Sequence, residues 1–179
     1  MGKKAAIRKV IDRDDLQLPK VWANFLASDE NKQDLANYLS GKLVQCEIPG
    51  KEVVVKGSES GPFSSQGRPL PSLDSNHEEA DTSLILHALD GAGKGFQRIV
   101  LQCRDTGVLL LLIYFLGNHP SRPEVWLKSG TARQMQHYPV HDIAKELPAE
   151  VMRNILGFHA LTGCDTVSSF GGFGKKSCW

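Results

Sequence analysis

The sequence predicts an α/β fold, a parallel sheet with helices on both faces, on three observations. Short apolar strand-like runs alternate with helical stretches through the second half of the chain, turns rich in glycine or proline separate them, and a carboxylate stands directly after one of the runs. In open sheets of this kind ligands gather at the carboxyl ends of the strands, so the residue that follows a strand is the first place to look for chemistry.

Taken in order, residues 18–44 read as helical, with Leu35, Tyr38, Leu39 and Leu43 forming a stripe that Gly41 alone weakens. Residues 51–56 read as a strand, because Val53, Val54 and Val55 are β-branched and follow the Pro49-Gly50 turn signal. Residues 57–76 are rich in Ser, Gly and Pro and are expected to form a long surface loop or linker. Ser75 or Asn76 then caps a helix that runs to about residue 90, its buried side carrying Ala80, Leu84, Ile85, Ala88 and Leu89, with Gly91 and Gly93 ending it. Ile99-Val100-Leu101 makes a buried strand of residues 98–102. A helix from Thr106 through residues 108–116 is apolar on all sides and so expected to be internal. A strand over 124–127 and helices over 140–147 and 148–162 complete the series, the last opening at Pro148 and closing before Gly163. The organisation expected is a segment of unassigned role over 1–57, a loop or linker over 58–75, and a functional domain over 76–179.

At 179 residues, with 41% hydrophobic and 23% charged side chains, the chain is long enough to close an ordinary core and too apolar to be disordered. Four cysteines without a C-x-x-C pair support neither a zinc ribbon nor a disulfide framework, and a reducing, intracellular setting, nuclear or cytoplasmic, is expected. The basic start, Met1-Gly2-Lys3-Lys4, lacks the apolar region of a secretory leader. The longest apolar run, residues 108–116, is far short of the roughly 20 residues of a bilayer span, so no membrane partner is expected. A net charge of +1 leaves nucleic-acid binding to local patches, one at Lys3, Lys4, Arg8 and Lys9 and another at Lys175 and Lys176.

The candidate chemistry lies in separated carboxylates: Glu79 and Asp81 at a helix start, Asp105 after a strand, and Asp165 after a helix end in Thr162-Gly163-Cys164-Asp165. A hard cation such as Mg²⁺ or Mn²⁺ needs only a few such oxygens on rigid elements, because water and substrate phosphate complete its shell. Each carboxylate also has a purely structural reading. Acids are favoured in a first helical turn, Ser75-x-x-Glu78 and Asn76-x-x-Glu79 have the capping-box form, and Asp105 suits a helix cap.

Four phrases carry a family resemblance: His77-Glu78-Glu79-Ala80-Asp81, Arg104-Asp105-Thr106-Gly107-Val108-Leu109, Leu161-Thr162-Gly163-Cys164-Asp165-Thr166 and Gly171-Gly172-Phe173-Gly174-Lys175-Lys176. In order and approximate spacing they resemble the later part of PIN-like and flap-endonuclease-like (XPG-type) nuclease domains, and also a group of uncharacterised animal proteins often linked to mobile elements. The resemblance spans residues 76–179. It implies that Glu79, Asp81, Asp105 and Asp165 are catalytic residues holding Mg²⁺ or Mn²⁺, and that Gly172, Gly174, Lys175 and Lys176 form a turn gripping the nucleic-acid backbone. The chain departs from the pattern in three ways. Gly107 stands at the second position of the family's D-x-D, the earlier aspartates have no counterpart, and the chain stops at Trp179 where a further helix is expected, so the domain is expected to be truncated at its C-terminus.

The resemblance leaves two function classes. One is a metal-dependent nuclease hydrolysing phosphodiesters of DNA or RNA. The other is a degenerate module of the same fold that binds nucleic acid or protein without cleaving, which Gly107 favours. Other motifs weigh less. His77-Glu78-x-x-Asp81 lacks the second histidine of a zinc protease, and Gly91-Ala92-Gly93-Lys94 and Gly174-Lys175-Lys176 lack the full phosphate-loop pattern, which leaves them as turns. Cys164 with His159 suggests a thiol pair, but His159 sits in an apolar helical stretch and reads as a packed histidine.

Overall fold

The computed structural model describes residues 8–17, 19–56, 61–74 and 80–162. The fold is mixed α/β, with six α-helices and two small sheets among the described residues, and the chain divides into two compact units, Met1–Asn76 and His77–Trp179.

In the first unit the stretch read as one helix is two: α1 (Trp22–Phe25) and α2 (Asp29–Val44). The chain breaks at Ser28, whose hydroxyl caps α2 by accepting from the Asn31 amide at 3.3 Å. The apolar stripe expected on this helix stays largely outside, Leu39 being 49% and Leu43 53% exposed. The fully buried position is instead Asn31. Its side chain accepts from the Lys9 amide (2.9 Å) and from Arg8 Nη1 (3.1 Å), and donates to the Phe25 carbonyl (2.9 Å), so the polar group is satisfied where it is buried. Strand β1 (Val54–Lys56) pairs antiparallel with β2 (Pro62–Ser64). This corrects the expectation of a featureless loop over 57–76. The same segment also forms a short 3-10 turn, Pro71–Leu73, and buries Leu70 and Leu73, two apolar anchors that its polar composition masks.

In the second unit α3 (Ala80–Gly93) leads through a tight turn, with Gly95 at φ +83°, into β3 (Arg98–Gln102). Next come α4 (Thr106–Gly117) and β4 (Glu124–Thr131), followed by β5 (Gln134–Pro139), α5 (Val140–Glu146) and α6 (Ala149–Leu161). The sheet order is β3-β4-β5. β3 and β4 are parallel, joined by α4, and β5 returns antiparallel to β4 as a hairpin. The sequence reading of 124–127 stopped β4 short and missed β5, because Gln134–Pro139 has almost no β-branched content and the turn before it has no asparagine or glycine.

Strand alternation explains the layers. Leu101, Val125 and Leu127 point into one core with Ile85, Ala88, Ala92, Val108, Leu112, Val140, Met152 and Ile155 from the helices, while Val100, between Ile99 and Leu101, is 58% exposed on the opposite face. The helix α4 is less internal than its composition suggests: Val108, Leu112, Ile113 and Leu116 are buried, but Phe115 is 40% exposed. It packs closely on α5 through Gly117, where an added Cβ would stand 2.5 Å from the Ala144 Cβ. No helix among the described residues is long and apolar enough to cross a membrane.

Candidate functional site

Helix α3 runs back along β3, so the end carrying Asp81 lies toward the carboxyl end of the strand. The lengths agree, at about 21 Å for fourteen helical residues and about 17 Å for five extended ones. Asp81 occupies the first turn of α3 and is half-buried, where a negative charge suits the helix dipole.

Asp105 follows β3 directly. Its backbone is extended (φ −77°, ψ 129°), and its Oδ1 accepts from the Gly107 amide at 2.5 Å, making it the N-cap of α4. The structural reading of Asp105 therefore holds. It does not use up the carboxylate, since Oδ2 makes no hydrogen bond among the described residues and the residue is exposed. Behind it, the Asp105 amide points at Cys103 Sγ, 3.4 Å away.

The last turn of α6 closes on the same place. A Cβ built on Gly107 would lie 3.0 Å from both Asp105 Oδ1 and His159 Cε1, and 3.4 Å from His159 Nε2. Gly107 thus provides no ligand, and a side chain there would need the His159 imidazole or the Asp105 carboxylate to give by a few tenths of an ångström. Sequence reasoning took His159 for a packed histidine, which it is. Its partnership with Gly107 had no local signal, beyond a glycine standing where the resembled pattern has an aspartate. Thr162 then caps α6, its hydroxyl donating to the Phe158 carbonyl at 2.7 Å.

The ends of β3, α4 and α6 accordingly meet around Gly107. Of the sequence-predicted carboxylates, Asp105 lies there, and Asp81 lies in the first turn of α3. The others, Glu79 and Asp165, lie outside the described residues, as do Gly172, Gly174, Lys175 and Lys176 and the thiol of Cys164. Among the described residues no group of three or more His, Cys, Asp or Glu side chains could hold a metal ion. Asp105 keeps one carboxylate oxygen, Oδ2, outside its cap hydrogen bond.

The rival motif at Gly91-Ala92-Gly93-Lys94 is accounted for without a phosphate. It is the end of α3, and Lys94 Nζ pairs with Asp90 at 2.5 Å. No family model matches the chain, nor does any curated protein or solved structure, so its function has to be read from the residues themselves.

Proposed function

We propose that the second unit is a PIN-like, metal-dependent nuclease module that hydrolyses phosphodiesters of DNA or RNA. One observation carries the reading: Asp105, directly after β3 at the head of α4, stands beside the last turn of α6, the helix that precedes Asp165 in the chain. The parallel β3–β4 pair bridged by α4 supports the α/β part of the reading. A parallel sheet with helices on both faces is the fuller form of such a fold. The reading needs only the crossover and its rim; on the face with Val100, which is 58% exposed, Trp126 meets His141 of α5 edge-on.

In this reading Glu79, Asp81, Asp105 and Asp165 hold Mg²⁺ or Mn²⁺, which when bound supplies positive charge to an in-line displacement at phosphorus. Asp105 is fixed by its own cap, so its free oxygen is presented without an entropy cost at binding. Gly107 with His159 favours a second reading, a degenerate module that binds without cleaving, because the pattern's second carboxylate is absent and His159 lies close against its place.

The test is Mn²⁺ calorimetry beside cleavage of a labelled flap and a labelled single strand, with Asp105→Asn and Asp165→Asn compared with the unaltered chain. Asparagine keeps the cap at Asp105 while removing the charge, so a loss of function there is not a folding defect. Ion binding and cleavage that both vanish in the variants support the nuclease. Saturable ion binding without turnover supports the degenerate module, and no ion binding at all removes both metal readings.

A further inference from the structure

The second face of the β3-β4-β5 sheet has a composition that neither the fold nor the carboxylate rim explains. Register places Val100 beside Trp126, and in the next row Gln102, Lys128 and His137 lie side by side on that face, pointing away from the buried Leu101 and Leu127. Arg104, one residue before the Asp105 cap, reaches across the same end of the sheet, its Nε donating to the Gly130 carbonyl at 3.2 Å. Arg133 stands at the exposed tip of the β4–β5 hairpin.

Three cations at this end of the sheet lack a carboxylate partner, as Arg122 and Arg153 elsewhere in the unit also do among the described residues. Lys94, Arg98 and Lys145 each pair with a carboxylate, whereas Arg104, Lys128 and Arg133 make no ion pair among the described residues. Residues 125–139 contain no Asp or Glu, and the one acid of the hairpin, Glu124 at the start of β4, is paired with Arg98. Beside this charge lie Val100, 58% exposed, and the half-buried Trp126.

We infer that this open sheet face binds single-stranded nucleic acid, with phosphates on Arg104, Lys128, Arg133 and His137 and bases against Val100 and Trp126. Unpaired cations in a row beside exposed apolar and aromatic surface are what a flexible strand requires, since its phosphates seek charge and its bases seek a face to lie on. A duplex would offer phosphates alone and leave Val100 and Trp126 without a role. The inference rests on the nuclease reading in its choice of polyanion, and it adds a path by which a strand reaches Asp105, the neighbour of Arg104.

The test is fluorescence anisotropy of labelled oligo-dT and oligo-U of about 15 nucleotides, a length one such surface can hold. The full chain is used in EDTA between about 50 and 200 mM salt. Because no divalent ion is present, the outcome does not depend on the metal site. The triple variant Arg104→Ala, Lys128→Ala, Arg133→Ala is expected to lose at least about tenfold in affinity. Its slope of log K against log salt should be shallower by about 2, near 0.7 for each phosphate contact removed. Arg133→Ala alone, at an exposed turn where folding is not at stake, should reduce the slope by about 0.7. Preference for oligo-U or oligo-dT assigns the strand as RNA or DNA. Unchanged affinity and slope in the triple variant, no binding by the unaltered chain at the lowest salt, or retention by phosphatidylserine vesicles in place of oligonucleotides would each overturn the inference.

Discussion

The imidazole of His159 and the bare Cα of Gly107 are complementary: a Cβ on Gly107 would approach His159 Cε1 to 3.0 Å and, on its other side, Asp105 Oδ1 to the same distance. Alanine is a better helix former than glycine by up to about 1 kcal/mol, so in an open helix Gly107→Ala would stabilise. Here the overpacking, typically about 1–3 kcal/mol, is expected to win, and urea denaturation should show a net loss. The same substitution in a His159→Ala background should lose less or turn favourable. Equal losses in both backgrounds would mean that the two residues are not coupled.

Asp105 has two separable roles, and substitution tells them apart. Asp105→Ala removes the cap of α4 and should cost about 1 kcal/mol in thermal or urea unfolding, whereas Asp105→Asn should stay within a few tenths. Mn²⁺ affinity is expected to fall in both. An asparagine variant that unfolds as easily as the alanine one would show that the cap is not what holds the carboxylate in place.

The Arg98–Glu124 pair across β3 and β4 gives a pH dependence with a definite sign. A hydrogen bond from Arg98 at 2.8 Å, then one from Trp126 Nε1 at 2.7 Å, hold the Glu124 carboxyl below its ordinary range. A depressed carboxylate stabilises the fold fully above its unfolded pKa, and that contribution is lost as pH falls through the folded value. The melting temperature of the unaltered chain should therefore exceed that of Glu124→Gln at pH 7, with the gap closing toward pH 3. Both side chains are substantially exposed, so added salt should narrow the gap as well. A gap that widens on acidification would contradict the assignment.

Gly130 marks a place where the hairpin tolerates nothing larger. Its φ is +123°, and an added Cβ would stand 2.1 Å from the Gln134 carbonyl oxygen, a backbone atom that cannot step aside. Gly130→Ala is expected to cost about 2 kcal/mol or more in chemical denaturation. Because Arg104 is anchored on the Gly130 carbonyl, oligonucleotide affinity should fall with it.

In the second unit the sequence was legible wherever an apolar run and its burial coincide: β3 over Ile99-Val100-Leu101, α4 after Asp105, and α5 and α6 came out within a residue or two. It failed where long-range pairing or a polar anchor decides. Strand β5 exists because β4 offers it a partner, α2 starts at Ser28 because of a cap inside an otherwise helical run, and the buried position on α2 is Asn31 rather than the leucine stripe. The placement of Asp105 followed from the rule that ligands gather at strand ends. The histidine packed beside it did not, since no local pattern joins residues 107 and 159.

The contact between Gly117 and Ala144 reaches further than its size suggests. A helix transmits position along its length, and α4 is about 18 Å of rigid rod with the Asp105 carboxylate at its head and the pinched Gly117 at its tail. A bulkier residue at the tail would push that end away from α5 and tilt the head, so the aim of the carboxylate is set by a glycine at the far end of the same rod.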